Sequence, residues 1–278
     1  MTGTQTARGL AVALAVTIGV LLLADLAVVA ARVGPSGSEV DDDPRPLEAV
    51  LPELITFVEQ ARGLRFRTPP DVRLLADDEF DAQLTEGDPT DADEQAADDA
   101  AYLGLLRALG LIEGGVDLDQ LAADTVASIV GFYDTDSKVL YARGASATPY
   151  VKEVLVHELT HALDDQHFGI EGADLVDDVA AAFDALVEGS ATAVEDRWFD
   201  ARPAAEQDEI TREDGVGTVR GDDVFTALFG FPYVAGPAFV ESLLDAGGTA
   251  RLDDAFRRPP RSTEQILHPD RYLAGDAP

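Results

Sequence analysis

The chain has 278 residues, 46% of them hydrophobic, which suffices for one large or two smaller domains around a real core and excludes general disorder. Its 53 acidic residues against 20 basic ones give a net charge of −33, a surface that repels nucleic acid and anionic headgroups and excludes both as partners of the soluble part. With no cysteine, disulfides and thiolate metal sites are excluded too, so a bound metal must use His, Asp or Glu. Strong acidity with lysine only at Lys138 and Lys152 is the composition of a halophilic protein, because concentrated salt screens the self-repulsion.

In chain order, residues 9–31 are apolar except for Asp25 and are long enough to cross a hydrocarbon core of about 30 Å. They read as a membrane anchor or a cleaved export signal. The length and the scarcity of basic residues after them favour an uncleaved, single-pass anchor in the cell membrane with the bulk of the chain outside the cytoplasm. Residues 33–46, rich in Gly, Pro, Ser and Asp, read as a solvated linker, so the expected organisation is 1–32 anchor or signal, 33–46 acidic linker and 47–278 folded domain.

Leu47, Val50, Leu51, Leu54, Ile55 and Val58 recur at helical spacing, and 72–76 after Pro69-Pro70 looks like a short strand. Residues 85–99 are acidic and turn-rich, an expected exposed loop. A helix is expected over 96–112 with Tyr102, Leu105, Leu106 and Leu109 on its buried face. Two strand-like runs, 126–133 and 138–143, are joined by Asp134-Thr135-Asp136-Ser137, a hairpin signal whose edge can also hold an extended peptide.

Residues 151–168, VKEVLVHELTHALDDQHF, carry the chemistry. Thr148 is placed to cap a helix, Pro149 to open it and Gly169 to end it, while Val151, Val154, Leu155, Leu159, Ala162 and Leu163 follow the period of a helix pressed on a core. On such a helix His157 and His161 share one face, about 6 Å apart along the axis, so both can reach one metal ion. Glu158 lies beside them, where an attacking water would sit. H-E-x-x-H therefore reads as a hydrolytic zinc site.

Residues 174–200 read as an Ala-rich helix in which Gly189, Ser190 and Ala191 permit close approach of a second helix, bringing Glu188 to the metal. Further on, 225–244 are apolar. A last helix is signalled by Ser262 with Gln265, a capping box, and must stop at His268 because Pro269 follows.

With HELTH, a downstream E-G-x-A around Glu188 and a hairpin before the histidine helix, the chain resembles the gluzincin branch of the zinc metallopeptidases. It is most similar to a group of prokaryotic membrane-linked metallopeptidase-like proteins that share the blocks found here at 157–168, 186–192, 231–240 and 262–269. The resemblance implies an α+β zincin-like metallopeptidase fold, a small mixed sheet packed on helices, joined here to the N-terminal transmembrane helix. It implies His157, His161 and Glu188 as ligands of Zn2+, and Glu158 as the general base of peptide hydrolysis. Tyr233 and His268, each inside a shared block, are the candidate oxyanion donors. The expected function is a membrane-anchored zinc endopeptidase acting on a peptide or protein substrate; the alternative is an inactive zincin-shaped binding module. One departure bears on the choice. Thermolysin-like gluzincins place an Asp four residues beyond the ligand Glu to orient the first histidine, and here Thr192 stands there, leaving Asp184 or Glu195 as substitutes. His167 is expected to pack or hydrogen-bond at its helix end.

Overall fold

The computed structural model describes residues 46–85, 92–114, 116, 129–143, 147–171, 177–214, 227–228 and 230–276. The expected anchor and all of the linker but Pro46 lie outside them, and no helix among the described residues is long and apolar enough to cross a membrane. The elements run α1 (Leu47–Arg62), β1 (Asp71–Leu75), α2 (Asp77–Thr85), α3 (Ala92–Ala108), β2 (Gly131–Asp134), β3 (Val139–Arg143), α4 (Pro149–Phe168), α5 (Asp177–Asp200), α6 (Ala204–Asp214), α7 (Phe231–Gly247), α8 (Thr249–Arg257), α9 (Thr263–Leu267) and α10 (Pro269–Ala274). The class is α+β, mostly helical with one small mixed sheet.

That sheet has the order β1-β3-β2, with β1 parallel and β2 antiparallel to β3. Strand alternation divides its side chains between two layers. Tyr133, Leu140 and Ala142 join the main core with α1 and α4, whereas Phe132, Val139 and Tyr141 pack with Phe80 of α2 on the other face. The β2–β3 turn closes as its residues dictate. The Asp134 carboxylate accepts the N–H groups of Asp136 at 2.8 Å and Ser137 at 3.3 Å, and Lys138 takes the left-handed φ of 60°.

α4 forms where its caps predict. Thr148 Oγ1 accepts the Val151 N–H at 3.2 Å, Pro149 opens the helix, and Gly169, at φ 71°, ends it. From Glu153 to Asp165 every residue of the helix is buried, with Leu155, Leu159, Ala162 and Leu163 in the main core. Its buried polar residues must therefore find their partners inside the protein.

α5 packs against both α4 and α7, and its small residues let α7 come close. A methyl group on Gly189 would fall 2.4 Å from the Gly236 carbonyl oxygen, and one on Gly236 only 2.2 Å from that of Ala185. Backbone meets backbone there, which fixes the height of α5, and with it Glu188.

Several elements depart from expectation. α3 begins at Ala92, inside the expected loop, because Ala92, Ala96, Ala97, Ala100 and Ala101 favour helix; residues 86–91 lie outside the described residues. Its buried pair is Leu103 and Leu106, while Leu105 and Leu109 are exposed, because the chain turns at Gly110 and returns with Ile112 and Val116 over the other side. The first expected strand of the hairpin is short, and its positions 126–128 lie outside the described residues.

Ser262 does not cap α9 with its side chain. Instead Asp178 of α5 accepts the Thr263 N–H at 3.1 Å, and the Gln265 side-chain carbonyl reaches back to the Arg261 N–H at 2.7 Å. A tertiary cap has displaced the local one. Nor is α9 the last helix, since Pro269, which cannot continue it, opens α10.

Candidate metal centre

His157 and His161 stand one turn apart on α4 with ring centroids 4.7 Å apart. Glu188 enters from α5, its Oε2 3.2 Å from His157 Nε2 and 3.5 Å from His161 Nε2. One ligand atom from each residue lies within 4.8 Å of the other two, and all three residues are buried.

The hydrogen-bond roles show what this arrangement lacks. His157 Nδ1 donates to Glu195 Oε2 at 2.8 Å, so in a neutral imidazole Nε2 is an acceptor, and it faces the carboxylate of Glu188, which also only accepts. His161 Nε2 is buried with no hydrogen-bond partner. Two acceptors facing each other in a dry interior need a cation between them. Without a metal the cation is a proton: burial opposes a charge on His157, but its hydrogen bonds to Glu188 and Glu195 and their charges outweigh that and raise its pKa well above 6.5. For Glu188 burial pushes the pKa up, yet the charges of His161 and His157 and the hydrogen bond to His157 prevail and hold it below its usual value. Two imidazoles and one carboxylate are a donor set for a divalent metal ion, and the residues present fit one.

Of the two candidates for orienting His157, Glu195 does so, two turns beyond Glu188 on α5. Asp184 lies one turn before Glu188; burial, then the charge of Glu188, push its pKa to about 7. His167 donates to the Arg65 carbonyl at 2.8 Å, away from the triad.

Glu158 is buried, and its Oε2 accepts the main-chain N–H of Tyr133 at 2.9 Å. The fit is close, since a methyl on Gly131 would lie 3.1 Å from Val154 Cγ1 and 3.7 Å from Glu158 Cγ. Tyr133 is tied to α4 a second time, its hydroxyl donating to Asp165 Oδ2 at 2.7 Å.

One turn past His161 a second polar group is buried. Asp164 Oδ2 accepts the Ser190 hydroxyl at 2.6 Å, joining the two ligand-bearing helices beside the triad. Arg62, only 1% exposed, brings its Nε to 2.7 Å from Asp164 Oδ1 and its Nη1 to 2.8 Å from Asp253 Oδ1. Its guanidinium lies over Phe168 and Phe256 at 5.6 and 5.5 Å.

Tyr233 is buried in the first turn of α7, and His268 is exposed at the junction of α9 and α10. The triad and Glu195 are thus brought together, and the Glu158 carboxylate lies on the Tyr133 N–H, while nothing in the contacts described places the side chain of His268 against them. Sequence reasoning did not single out Tyr133, Asp164 or Arg62. The only signal was position: Asp164 follows His161 by one turn on a helix that is buried all round.

No protein-family model, no curated protein and no solved structure matches this chain.

Proposed function

We propose that this chain is a zinc-dependent peptidase of zincin type, with His157, His161 and Glu188 as the metal ligands and Glu158 as the general base. The observation that carries the reading is the convergence of acceptor atoms from two histidines and a glutamate, beside a buried glutamate held on a sheet edge. When bound, zinc supplies a Lewis acid that polarises a carbonyl and lowers the pKa of water to about 7.

The chain's own residues do the rest. Glu195 holds His157 in the tautomer whose Nε2 lone pair points at the centre. Glu158 accepts the proton of the attacking water and returns it to the leaving amine. β2, the outer strand of the sheet, supplies main-chain groups along which an extended peptide can lie. Tyr233 and His268 are proposed as donors to the developing oxyanion. Glu195 supports catalysis over the inactive-module alternative, because it fills the orienting role that Thr192 leaves vacant. The proposed setting is an anchored enzyme outside the cytoplasm, with peptide or protein substrates and no nucleic-acid partner.

The test is cleavage of a peptide library by the zinc-loaded protein at high salt, alongside Glu158→Gln. Cleavage by the wild type, falling at least about a hundredfold in the variant while zinc content holds, is the expected result. Equal inertness of both would favour the inactive module.

A further inference from the structure

We propose that Tyr133 is the positioning residue of the general base: its main-chain N–H holds the Glu158 carboxylate, and its phenol, moored on Asp165, keeps β2 at the distance where that bond forms. The inference rests on the reading of Glu158 as the base, and goes beyond it in assigning the group that orients the base.

Three observations carry it. The Tyr133 N–H donates to Glu158 Oε2 at 2.9 Å, and not to β3, although Tyr133 stands opposite Leu140 in the ladder. In an antiparallel pair every second residue turns its N–H and C=O away from its partner strand, and here one such N–H meets a catalytic carboxylate. Next, the phenol donates to Asp165 Oδ2 at 2.7 Å, and Lys138 Nζ lies 3.0 Å from the same oxygen, so the far end of the hairpin is anchored on α4 two turns beyond Glu158. Finally, a methyl on Gly131 would lie 3.1 Å from Val154 Cγ1, tighter than an ordinary contact, so the strand already packs closely on the helix there.

Strand and helix are therefore held in one relative position by a contact, the Lys138–Asp165 ion pair and two hydrogen bonds, both of the bonds through Tyr133. The consequence for Glu158 is a fixed orientation. The N–H engages one oxygen and so sets the plane of the carboxylate; a carboxylate free to rotate would lose part of the advantage of a base fixed within hydrogen-bond reach. A hydrogen bond from an amide to a charged carboxylate is also stronger than one between neutral groups, which suits it to this task.

The primary test is hydrogen–deuterium exchange of the zinc-loaded full chain, read by mass spectrometry on fragments that isolate the Tyr133 amide. Glu158→Ala removes the acceptor and is expected to speed exchange of that amide at least about tenfold while amides of β3 and α4 keep their rates. Glu158→Gln, which retains an acceptor oxygen, should stay within about threefold of wild type. An unchanged Tyr133 amide in Glu158→Ala overturns the proposal. Kinetics give the second arm. Tyr133→Phe keeps the ring and loses only the mooring bond, so kcat should fall about tenfold with KM and zinc content unchanged; a rise in KM at constant kcat would overturn the positioning role. The exchange readout is independent of turnover. A wild type that cleaves nothing yet shows the exchange pattern contradicts the peptidase reading and supports the hydrogen bond.

Discussion

α4 carries two buried polar groups one turn apart, and they are neutralised in different ways. At Asp164 the chain supplies its own cation: Arg62, from a helix far earlier in the sequence, lies 2.7 Å from it, Ser190 donates to its other oxygen and Asp253 pairs with Nη1 of Arg62, although Nη2 has no hydrogen-bond partner among the described residues. At His157, His161 and Glu188 three potential ligand atoms converge, two of them acceptors facing each other, and a proton on His157 is what balances the metal-free form. The first group has its counter-charge within the polypeptide. The second offers its ligand atoms to a cation from solution, and that difference separates a structural ion cluster from a candidate metal site in the same pair of helices.

The comparison breaks most visibly at Arg62. Arg62→Met leaves Asp164 buried without its counter-charge, and removing one partner of a buried pair costs about 3–5 kcal/mol. Burial already outweighs Arg62 and Ser190 in raising the pKa of Asp164, so the group is easily tipped toward its neutral form. The double variant with Asp164→Asn should recover part of the loss. Denaturant unfolding measures both, and zinc should stabilise the single variant and the wild type alike, so that the difference between them persists. At the other group the order reverses: chelation lowers the melting temperature and zinc restores it, by about 4 kcal/mol of stability at a free concentration roughly a thousand times Kd.

Next in size is the α5–α7 contact that sets the height of Glu188. Gly236→Ala places a methyl 2.2 Å from the Ala185 carbonyl oxygen, so backbone must move. The expected cost is about 1–3 kcal/mol despite the better helix propensity of alanine. Zinc affinity should fall with it, whereas the Arg62 group, anchored on α1 and α8, should keep its protection from hydrogen exchange.

How far the sequence could show this depended on range. The caps of α4 and the i, i+4 spacing of the histidines are local, so the helix and its metal-facing side were legible in full. Glu188 and the small residues after it were legible as a helix that must be approached closely, although its partner, Gly236, was not. Glu195 was legible only as one of two candidates, because both Asp184 and Glu195 sit near Glu188 on a helix and only the tertiary packing chooses. Arg62, Tyr133 and Asp178 act across the fold through partners far along the chain, and no local pattern records that. The same reason explains the capping box that failed: Ser262 and Gln265 have the right spacing, but Asp178 takes the N–H at the helix end.

A smaller effect follows from pH. The folded, metal-free protein holds His157 protonated with a raised pKa, so that stabilisation is complete below the unfolded value of about 6.5 and is lost as pH rises through the higher folded value. In the proposed function, zinc takes the place of that proton. Thermal unfolding of chelated and zinc-loaded protein from about pH 6 to 9 should therefore show a gap that widens with pH; a gap that narrows contradicts the exchange of proton for metal.

The smallest effect belongs to Asp184. Its pKa is raised from 3.8 to about 7, so in the metal-free form it costs stability as pH climbs through that window. Asp184→Asn should recover about 1–2 kcal/mol near pH 8, less than the shift alone implies because its side chain is only partly withdrawn from solvent. Urea unfolding at about pH 5 and pH 8 measures it, the variant gaining more at the higher value.

The central claim is that the triad is a set of acceptors completed by a metal ion, and calorimetric titration of zinc into the metal-free full chain, in buffers of different ionisation enthalpy, tests it most directly. The expected result is one zinc per chain with about one proton released near neutral pH, abolished in His161→Ala and Glu188→Ala and retained in Glu158→Gln. No binding by the wild type, or binding that survives both ligand variants, would contradict it.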